Sequence, residues 1–255
     1  MEDSACPVAV VTGGTGNLGS RIACGLSAAG WRVVLLGRSF ERLALAADRI
    51  AATTGHDVRF AAGDLTDRVG LPTLADAVWS AFGRVDTVVN SAVPDGSQTP
   101  AGDLLDTPED TWWRFFDPIV LGALGLARAL VPRMAGAGGG AFVNIASPTG
   151  VVPSPGMDAY GMAKGGLLLL TRYMAREWGR WNIRANAVLP GLVIDDRYIT
   201  EESIAALPGL QALLPRTALG RAGRAEELVG VVVFLASSAA SFVSGAAIPV
   251  DGGRF

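Results

Sequence analysis

The chain has 255 residues, of which 50% are hydrophobic, 18% are charged and 33 are glycine. Its 21 basic and 24 acidic residues give a net charge of −3, which argues against a protein whose main task is to grip nucleic acid or an anionic membrane. This composition excludes a disordered tail, a collagen and a disulfide scaffold. The longest apolar run, residues 228–236, is too short to span a bilayer.

Two features indicate a reducing compartment. Cys6 and Cys24 are the only cysteines, too few for a disulfide framework. The first four residues are acidic and polar and lack the basic region of a secretory signal. We therefore expect a cytoplasmic protein.

Short apolar runs alternate with helical segments along the chain. Strands are predicted at residues 7–12, 31–36, 57–61, 86–90, 141–146, 183–188 and 246–250. Helices are predicted at residues 17–29, 40–53, 67–82, 108–135, 158–181 and 226–236. Apolar, β-branched runs spaced by helices indicate parallel strands buried on both faces. The predicted fold class is therefore α/β, with a doubly wound, mostly parallel seven-stranded sheet in one domain, residues 1–255.

Ligands of such sheets bind beyond the carboxyl ends of the strands. The late segment 195–219 lacks a clear strand and contains Pro208 and Pro215. It is predicted to be a mobile flap over the site. Its Ile, Leu and Pro residues and Pro94 are the expected substrate contacts.

The turn after the first predicted strand is rich in glycine, from Gly13 to Gly19, and opens a helix. Glycines let the backbone approach a pyrophosphate, and a helix N-terminus offers free N–H groups. A tight structural turn is the alternative. The strand–turn–helix context favours a phosphate site.

The pattern around residue 160 is more specific. Tyr160 and Lys164 stand at i and i+4, on one face of a helix, and Lys164 is the only Lys beside 20 Arg. A neighbouring ammonium favours phenolate and would lower the pKa of Tyr160. Ser147 follows the fifth predicted strand, where its hydroxyl could hydrogen-bond a substrate oxygen. A YxxxK pair alone is also common on helix surfaces. Its combination with Ser147 at this spacing is not common.

These motifs resemble the short-chain dehydrogenase/reductase superfamily over essentially the whole chain. Residues 12–19 are similar to its TGxxxGxG turn, with Asn17 in place of the middle glycine. Asn tolerates a left-handed backbone better than most residues, so we expect the turn to survive. The nearest look-alikes are acyl-carrier-protein ketoreductases.

The resemblance implies a Rossmann-type fold and a hydride-transferring oxidoreductase that acts on a ketone or secondary alcohol. In that family Tyr160 would transfer the proton, Ser147 would position the oxygen, and Lys164 would tune Tyr160 and bind the ribose. The implied cofactor contacts are Gly13, Thr15, Gly16, Asn17, Leu18, Arg38, Ser39, Asp64, Leu65, Asn90, Ala92, Tyr160, Lys164, Pro190, Gly191 and Val193.

Cofactor choice depends on the end of the second strand. An acid there would bind a ribose 2′-hydroxyl, but the sequence has Arg38, a planar cation suited to a 2′-phosphate. NADP(H) is therefore favoured over NAD(H). A solvated surface Arg is the alternative.

Two departures from the family pattern bear on mechanism. Ile119 stands where many members place an Asn that orders a water beside the Lys, and Asp195 replaces a Thr expected to contact the carboxamide. Pro118 lacks an N–H, so a kink there could expose a backbone acceptor for a relay water. The alternative is that the proton path of those family members is lost or different in this chain. Non-redox chemistry, such as isomerisation or dehydration, and a non-catalytic cofactor-binding subunit therefore stay open as alternatives.

The remaining signals concern partners. His56 reads as a surface residue, and no His, Cys and acid cluster indicates a metal site. The four aromatic side chains Trp112, Trp113, Phe115 and Phe116 are too many for one buried face. They predict a face that is part core and part subunit interface, and hence a dimer or tetramer. The expected partner is otherwise a small carbonyl or alcohol, with no nucleic acid and no membrane.

Overall fold

The computed structural model describes residues 6–94, 104–194 and 199–254. Its strands are β1 (Val8–Thr12), β2 (Arg32–Gly37), β3 (Val58–Ala62), β4 (Thr87–Asn90), β5 (Gly140–Ile145), β6 (Ile183–Pro190), β7 (Val193–Ile194), β8 (Gly223–Arg224) and β9 (Ala247–Val250). Seven of them form one sheet in the order β3-β2-β1-β4-β5-β6-β9, and every neighbouring pair is parallel. This confirms the predicted fold class, a Rossmann-type doubly wound sheet.

Helices connect the strands. They are α1 (Asn17–Ala28), α2 (Phe40–Thr54), α3 (Leu71–Phe82), α4 (Glu109–Phe116), α5 (Ala123–Gly136), α6 (Asp158–Trp178), α7 (Glu201–Ala206), α8 (Pro208–Gln211) and α9 (Val229–Ala236). Two apolar cores lie on opposite sides of the sheet, one containing Ile22 of α1 and Leu235 of α9, the other Leu74 of α3 and Leu130 of α5. Strands covered on both faces explain why their sequences are continuously apolar rather than alternating.

The long helix predicted at residues 108–135 is interrupted. Between α4 and α5 the chain takes π-helical turns over Asp117–Gly122. Pro118 has no N–H to donate one turn back, so the regular ladder cannot continue through it. Wider single turns of this kind are frequent at functional sites. The expected break at Pro118 is therefore present, as a π-helical segment.

By length and composition alone, the helical stretch Glu109–Gly136 could cross a membrane. Half of its most apolar window is buried within the protein. Leu126 and Leu130 belong to the core under the sheet. The stretch therefore packs as the core helix of a layered α/β domain.

The described part of the predicted flap, residues 199–219, contains α7 and α8. Thr200 caps α7, and its hydroxyl accepts a hydrogen bond from Ser203 N. Ile204 packs with Leu192 and Ala222 in a small apolar cluster of its own. Strands β7 and β8, which were not predicted, pair in parallel, one before and one after this segment.

Candidate active site

The carboxyl ends of the central strands open into one cavity of about 1370 Å³. Its wall includes the turn after β1, the end of β2, the loop after β4, the residues after β5 and β6, and part of α6. This is the position at which open α/β sheets bind ligands.

The turn after β1 brings the backbone unusually close to a neighbouring loop. Gly13 has a left-handed backbone with φ of 65°, and a Cβ there would lie 2.9 Å from the Cα of Ala92. The Thr12 hydroxyl holds that loop in place by accepting hydrogen bonds from Ser91 N at 3.1 Å and Ala92 N at 3.2 Å. Only glycine fits at residue 13, which leaves the turn open toward the cavity.

Helix α1 begins directly after this turn. Its N-cap Gly16 has no side chain to cap the first N–H groups, and the first turn carries no acid. Exposed N–H groups and the positive end of the helix dipole suit a phosphate. The turn therefore fits the diphosphate of a dinucleotide.

Asn17 takes a different role from the one expected. Among the described non-glycine residues only Asn182 has a positive φ, so Asn17 does not supply a left-handed turn residue. Instead it opens α1, and its Nδ2 donates across the cavity to the carbonyl oxygen of Ile194 at 3.5 Å. The left-handed position of the turn is Gly13.

The adenosine end of the cavity lies at β2. Arg38, Ser39 and Arg42 line it. The Ser39 hydroxyl caps α2 by accepting from Arg42 N at 3.2 Å and donates to the Glu41 carboxylate at 3.0 Å. Glu41 is not part of the cavity wall. Two guanidinium groups and a helix start are therefore directed at this end.

The reacting end depends on close backbone contact between the loop after β5 and helix α6. A Cβ at Gly150 would lie 2.7 Å from the backbone of Lys164 and Gly165, and one at Gly161 would lie 2.9 Å from the oxygen of Thr149. Larger residues would push the loop away from the helix. The glycines thus bring Ser147, on the loop, to Tyr160 on the helix.

A hydrogen-bond network fixes the donor roles. Ser147 Oγ accepts from the Thr149 hydroxyl at 2.8 Å and from Thr149 N at 3.2 Å. The Tyr160 hydroxyl lies close enough for Ser147 to lower its pKa. Because Thr149 fills the acceptor positions of Ser147, the Ser147 proton is left to donate toward the cavity.

Lys164 is 2% exposed, and its Nζ donates to the carbonyl oxygen of Ile145 at 2.6 Å. The same nitrogen lies 5.6 Å from the centre of the Tyr160 ring. Phe115 meets that ring edge-on at 5.9 Å between centroids. The ammonium and the phenol therefore share one wall of the cavity.

Burial governs the ionisation of both groups. Desolvation raises the pKa of Tyr160 to about 12, and the nearby Ser147 hydroxyl opposes that shift. Desolvation also lowers the pKa of Lys164 to about 7. We expected the ammonium to lower the pKa of Tyr160, but burial has the largest effect and raises it.

The cavity brings together nearly all residues predicted from the sequence. Asn90 alone of the predicted contacts does not line it. Its Nδ2 donates to Asn144 Oδ1 at 2.7 Å, and Asn144 donates to the Thr171 hydroxyl of α6 at 2.8 Å. Asn90 thus ties β4 to β5 and to the helix that carries Tyr160. Its predicted contact with a cofactor is not supported by its side-chain position.

Other wall residues were not predicted. They include Thr66, Trp113, Arg114, Val152, Pro153, Ser154, Pro155, Met157 and Arg254. They lie in irregular loops, next to the helix break or at the chain end, where no motif marks them. Asp195, whose contact was in doubt, lies outside the described residues.

Ile119 does not face the cavity. It is 2% exposed and packs in an apolar cluster with Phe115 and Ala163. Pro118, one residue before it, does line the cavity. The polar groups that the π-helical segment can offer to the site are therefore the Asp117 carboxylate and its backbone.

Comparison with known proteins agrees with this geometry. A family model described as enoyl-(acyl carrier protein) reductase matches residues 14–254. The gluconate 5-dehydrogenase of Gluconobacter oxydans is 34% identical over 252 residues, 96% of this chain and 93% of that protein. The L-sorbose reductase of Gluconobacter frateurii, solved with NADPH and L-sorbose, is 31% identical with a TM-score of 0.89 over 100% and 99% of the chains. An NAD⁺-bound xylitol dehydrogenase is 29% identical with a TM-score of 0.87 over 97% and 98%.

The fold and the cavity define an oxidoreductase that uses a nicotinamide dinucleotide. The chain belongs to the short-chain dehydrogenase/reductase superfamily. As an NAD(P)-dependent member, it acts on CH–OH or C=O groups of small molecules.

Proposed function

We propose that this protein is an NADP(H)-dependent carbonyl reductase in which Tyr160 is the proton donor. The observation that carries the proposal is the placement of Ser147, Tyr160 and Lys164 at one cavity, with Lys164 Nζ 5.6 Å from the centre of the Tyr160 ring. When bound, the nicotinamide supplies the hydride.

The chain's own groups supply the proton and the polarisation. Ser147 donates to the substrate oxygen, because Thr149 occupies its acceptor positions. Tyr160 gives its proton to the same oxygen as negative charge develops there. Burial raises the pKa of Tyr160, so Tyr160 is protonated at neutral pH and can act as the proton donor in reduction.

NADP(H) preference rests on charge at the end of β2. Arg38 and Arg42 line the adenosine end, where a 2′-phosphate would be held by charge-assisted hydrogen bonds. The L-sorbose reductase solved with NADPH and the NAD⁺-bound xylitol dehydrogenase indicate that proteins of this fold accept either dinucleotide. The preference for NADP(H) is therefore inferred from Arg38 and Arg42.

Replacing Arg38 by Ala should weaken NADPH binding by about 10- to 100-fold and NADH binding by less than about threefold. The loss falls on NADPH because only NADPH carries the 2′-phosphate. The dissociation constants can be measured by titrating the enhancement of coenzyme fluorescence. Arg49→Ala, at an exposed residue of the following helix α2 and outside the cavity, is the control. Equal losses for the two coenzymes would remove the assignment.

The reductase proposal itself is tested by NADPH oxidation at 340 nm with open-chain and cyclic ketones. Oxidation of NADPH with matching formation of alcohol supports it. Conversion of substrate without net change in NADPH would instead indicate isomerisation or dehydration, and coenzyme binding without any conversion would contradict turnover.

The protein is further proposed to work as a homo-oligomer in the cytoplasm. Met162, Leu169 and Tyr173 leave more than half of their surface exposed on α6, beside Trp113 on α4. Such an apolar face is typical of a subunit interface. Free thiols at Cys6 and Cys24 support a reducing compartment. Light scattering of the purified protein measures its mass directly.

A further inference from the structure

The cavity wall is strongly cationic although the chain has a net charge of −3. Among the described residues, six cations and two carboxylates line it: Arg38, Arg42, Arg114, Lys164, Arg216 and Arg254 against Asp64 and Asp117. Asp117 forms an ion pair with Arg68. Arg38 and Arg42 belong to the adenosine end and Lys164 to the reacting end. Arg114 lies over the Phe115 ring, which leaves Arg216 and Arg254 without a role in the proposed reaction.

These two arginines lie on segments that pack together. Leu219 N donates to the carbonyl oxygen of Gly252 at 3.0 Å. A Cβ at Gly252 would lie 2.7 Å from the Thr217 side chain. Arg216 precedes Thr217 and Arg254 follows Gly252 by two residues, so both side chains reach the same part of the wall.

Arg216 and Arg254 lie close enough for their charges to interact. Burial lowers the pKa of Arg254, the nearby charge of Arg216 lowers it further, and the Asp251 carboxylate raises it. Guanidinium groups keep their proton under these conditions. A bound anion would relieve the repulsion between the two cations.

The sheet order places this pair at the substrate end. Arg254 follows β9, two strands from β5, which leads to Ser147, and five strands from β2, which leads to Arg38. With strands about 4.8 Å apart, the strand axes are separated by roughly 10 Å and 24 Å respectively. The pair is therefore far from a 2′-phosphate but within one small molecule of the reacting hydroxyls.

The wall between these groups is apolar. Ile199, Leu210 and Leu213 line it from the segment after β7, and Val152 and Pro153 from the loop after β5. The walls suit a hydrocarbon body with polar groups at its two ends.

We propose that Arg216 and Arg254 bind a carboxylate of the substrate. The substrate class is then a keto acid, or the corresponding hydroxy acid, whose two functional groups are separated by a single ring or a short apolar chain. The identity of the reacting group rests on the proposed function, whereas the carboxylate site does not.

Calorimetric titration of the protein, with and without NADPH, tests the site independently of turnover. The probes are cyclohexanecarboxylate and its uncharged analogue cyclohexanecarboxamide. The wild type should bind the carboxylate at least about tenfold more tightly than the amide, since bidentate Arg–carboxylate bonds are among the strong ones. Arg254→Gln and Arg216→Gln should each remove about tenfold or more of the carboxylate affinity and leave the amide unchanged.

Arg49→Gln, which removes the same charge outside the cavity, is the control and should change neither affinity. Arg254→Lys, which keeps the charge without the planar fork, should fall between wild type and Arg254→Gln. Should Arg254→Gln fail to fold, Arg216→Gln decides, because the Arg216 side chain is exposed. Equal binding of carboxylate and amide by the wild type, or equal effects of the cavity and control variants, would overturn the site.

Kinetics with 4-oxocyclohexanecarboxylate and its methyl ester separate this inference from the proposed function. A preference of at least about tenfold in kcat/KM for the acid, lost in Arg254→Gln, supports both. Reduction of both compounds at equal rates would overturn the carboxylate site alone. Carboxylate binding with no reduction of either compound would support the site and contradict the reductase.

Discussion

Replacing Tyr160 by Phe is expected to lower kcat/KM for ketone reduction by about 10³-fold, within the range found for removal of a general acid. The hydroxyl is the only part removed, so the edge-on contact with Phe115 is kept. Without it, the developing negative charge on the substrate oxygen meets the Ser147 proton but has no group positioned to protonate it. Initial rates of NADPH oxidation at saturating coenzyme measure the loss.

The control for this variant is coenzyme affinity. The dissociation constant of NADPH should change by less than about threefold, because the loss of one neutral hydrogen bond is small. Far-ultraviolet circular dichroism confirms the fold. If Tyr160→Phe kept more than about a tenth of the activity, Tyr160 would not be the proton donor.

Replacing Lys164 by Met is expected to lower kcat/KM by about 10²- to 10³-fold and to alter the pH dependence of stability. The folded-state pKa of Lys164 is about 7, below its ordinary value of 10.5. Between these values the unfolded chain binds one proton more than the folded chain. The free energy of unfolding therefore rises with pH from this group, by about 1.4 kcal/mol per pH unit.

Between pH 7 and 9, of these two groups only Lys164 changes the free energy of unfolding with pH. Tyr160, with a raised pKa of about 12, acts only above pH 10, where it makes the folded state less stable as pH rises. Urea unfolding of the coenzyme-free protein at pH 7, 8 and 9 measures the slope, and the difference between wild type and Lys164→Met isolates it. Lys164→Arg, which cannot lose its proton, should lack the slope as well. Identical slopes in the wild type and Lys164→Met would mean that Lys164 does not titrate in this range.

The fold was predictable because its pattern is repetitive. Apolar runs such as the one in β1 are fully buried, and helices separate them at regular intervals, so strand number and direction follow from local sequence. The short parallel pair β7 and β8 was not predictable, because two-residue strands carry no pattern of their own. Pro118 indicated that the long helix would be interrupted. It did not indicate that the interruption would have π-helical geometry.

Site residues were predictable where only one type of residue can do the job at that position. Gly13, Tyr160 and Lys164 are such residues, since backbone contact or chemistry excludes alternatives. The role of Thr149 depends on a hydroxyl–hydroxyl distance, and that of Arg254 on which segments pack beside the last strand. The orientation of two neighbouring hydroxyls is set by local backbone geometry, and the packing of segments remote in sequence is set by the fold, so neither role could be found from spacing. For the same reason, the sequence did not show that desolvation would dominate the pKa of Tyr160.

The scarcity of lysine has a practical consequence. Lys164 is the one side-chain primary amine of the chain, and it stands at the floor of the coenzyme cavity. An acylating reagent therefore meets no competing side-chain amine on the outer surface, and a nitrogen that ionises near neutrality is a good nucleophile once reached. Acylation of this single nitrogen, and its protection by a dinucleotide, would report directly on occupancy of the cavity.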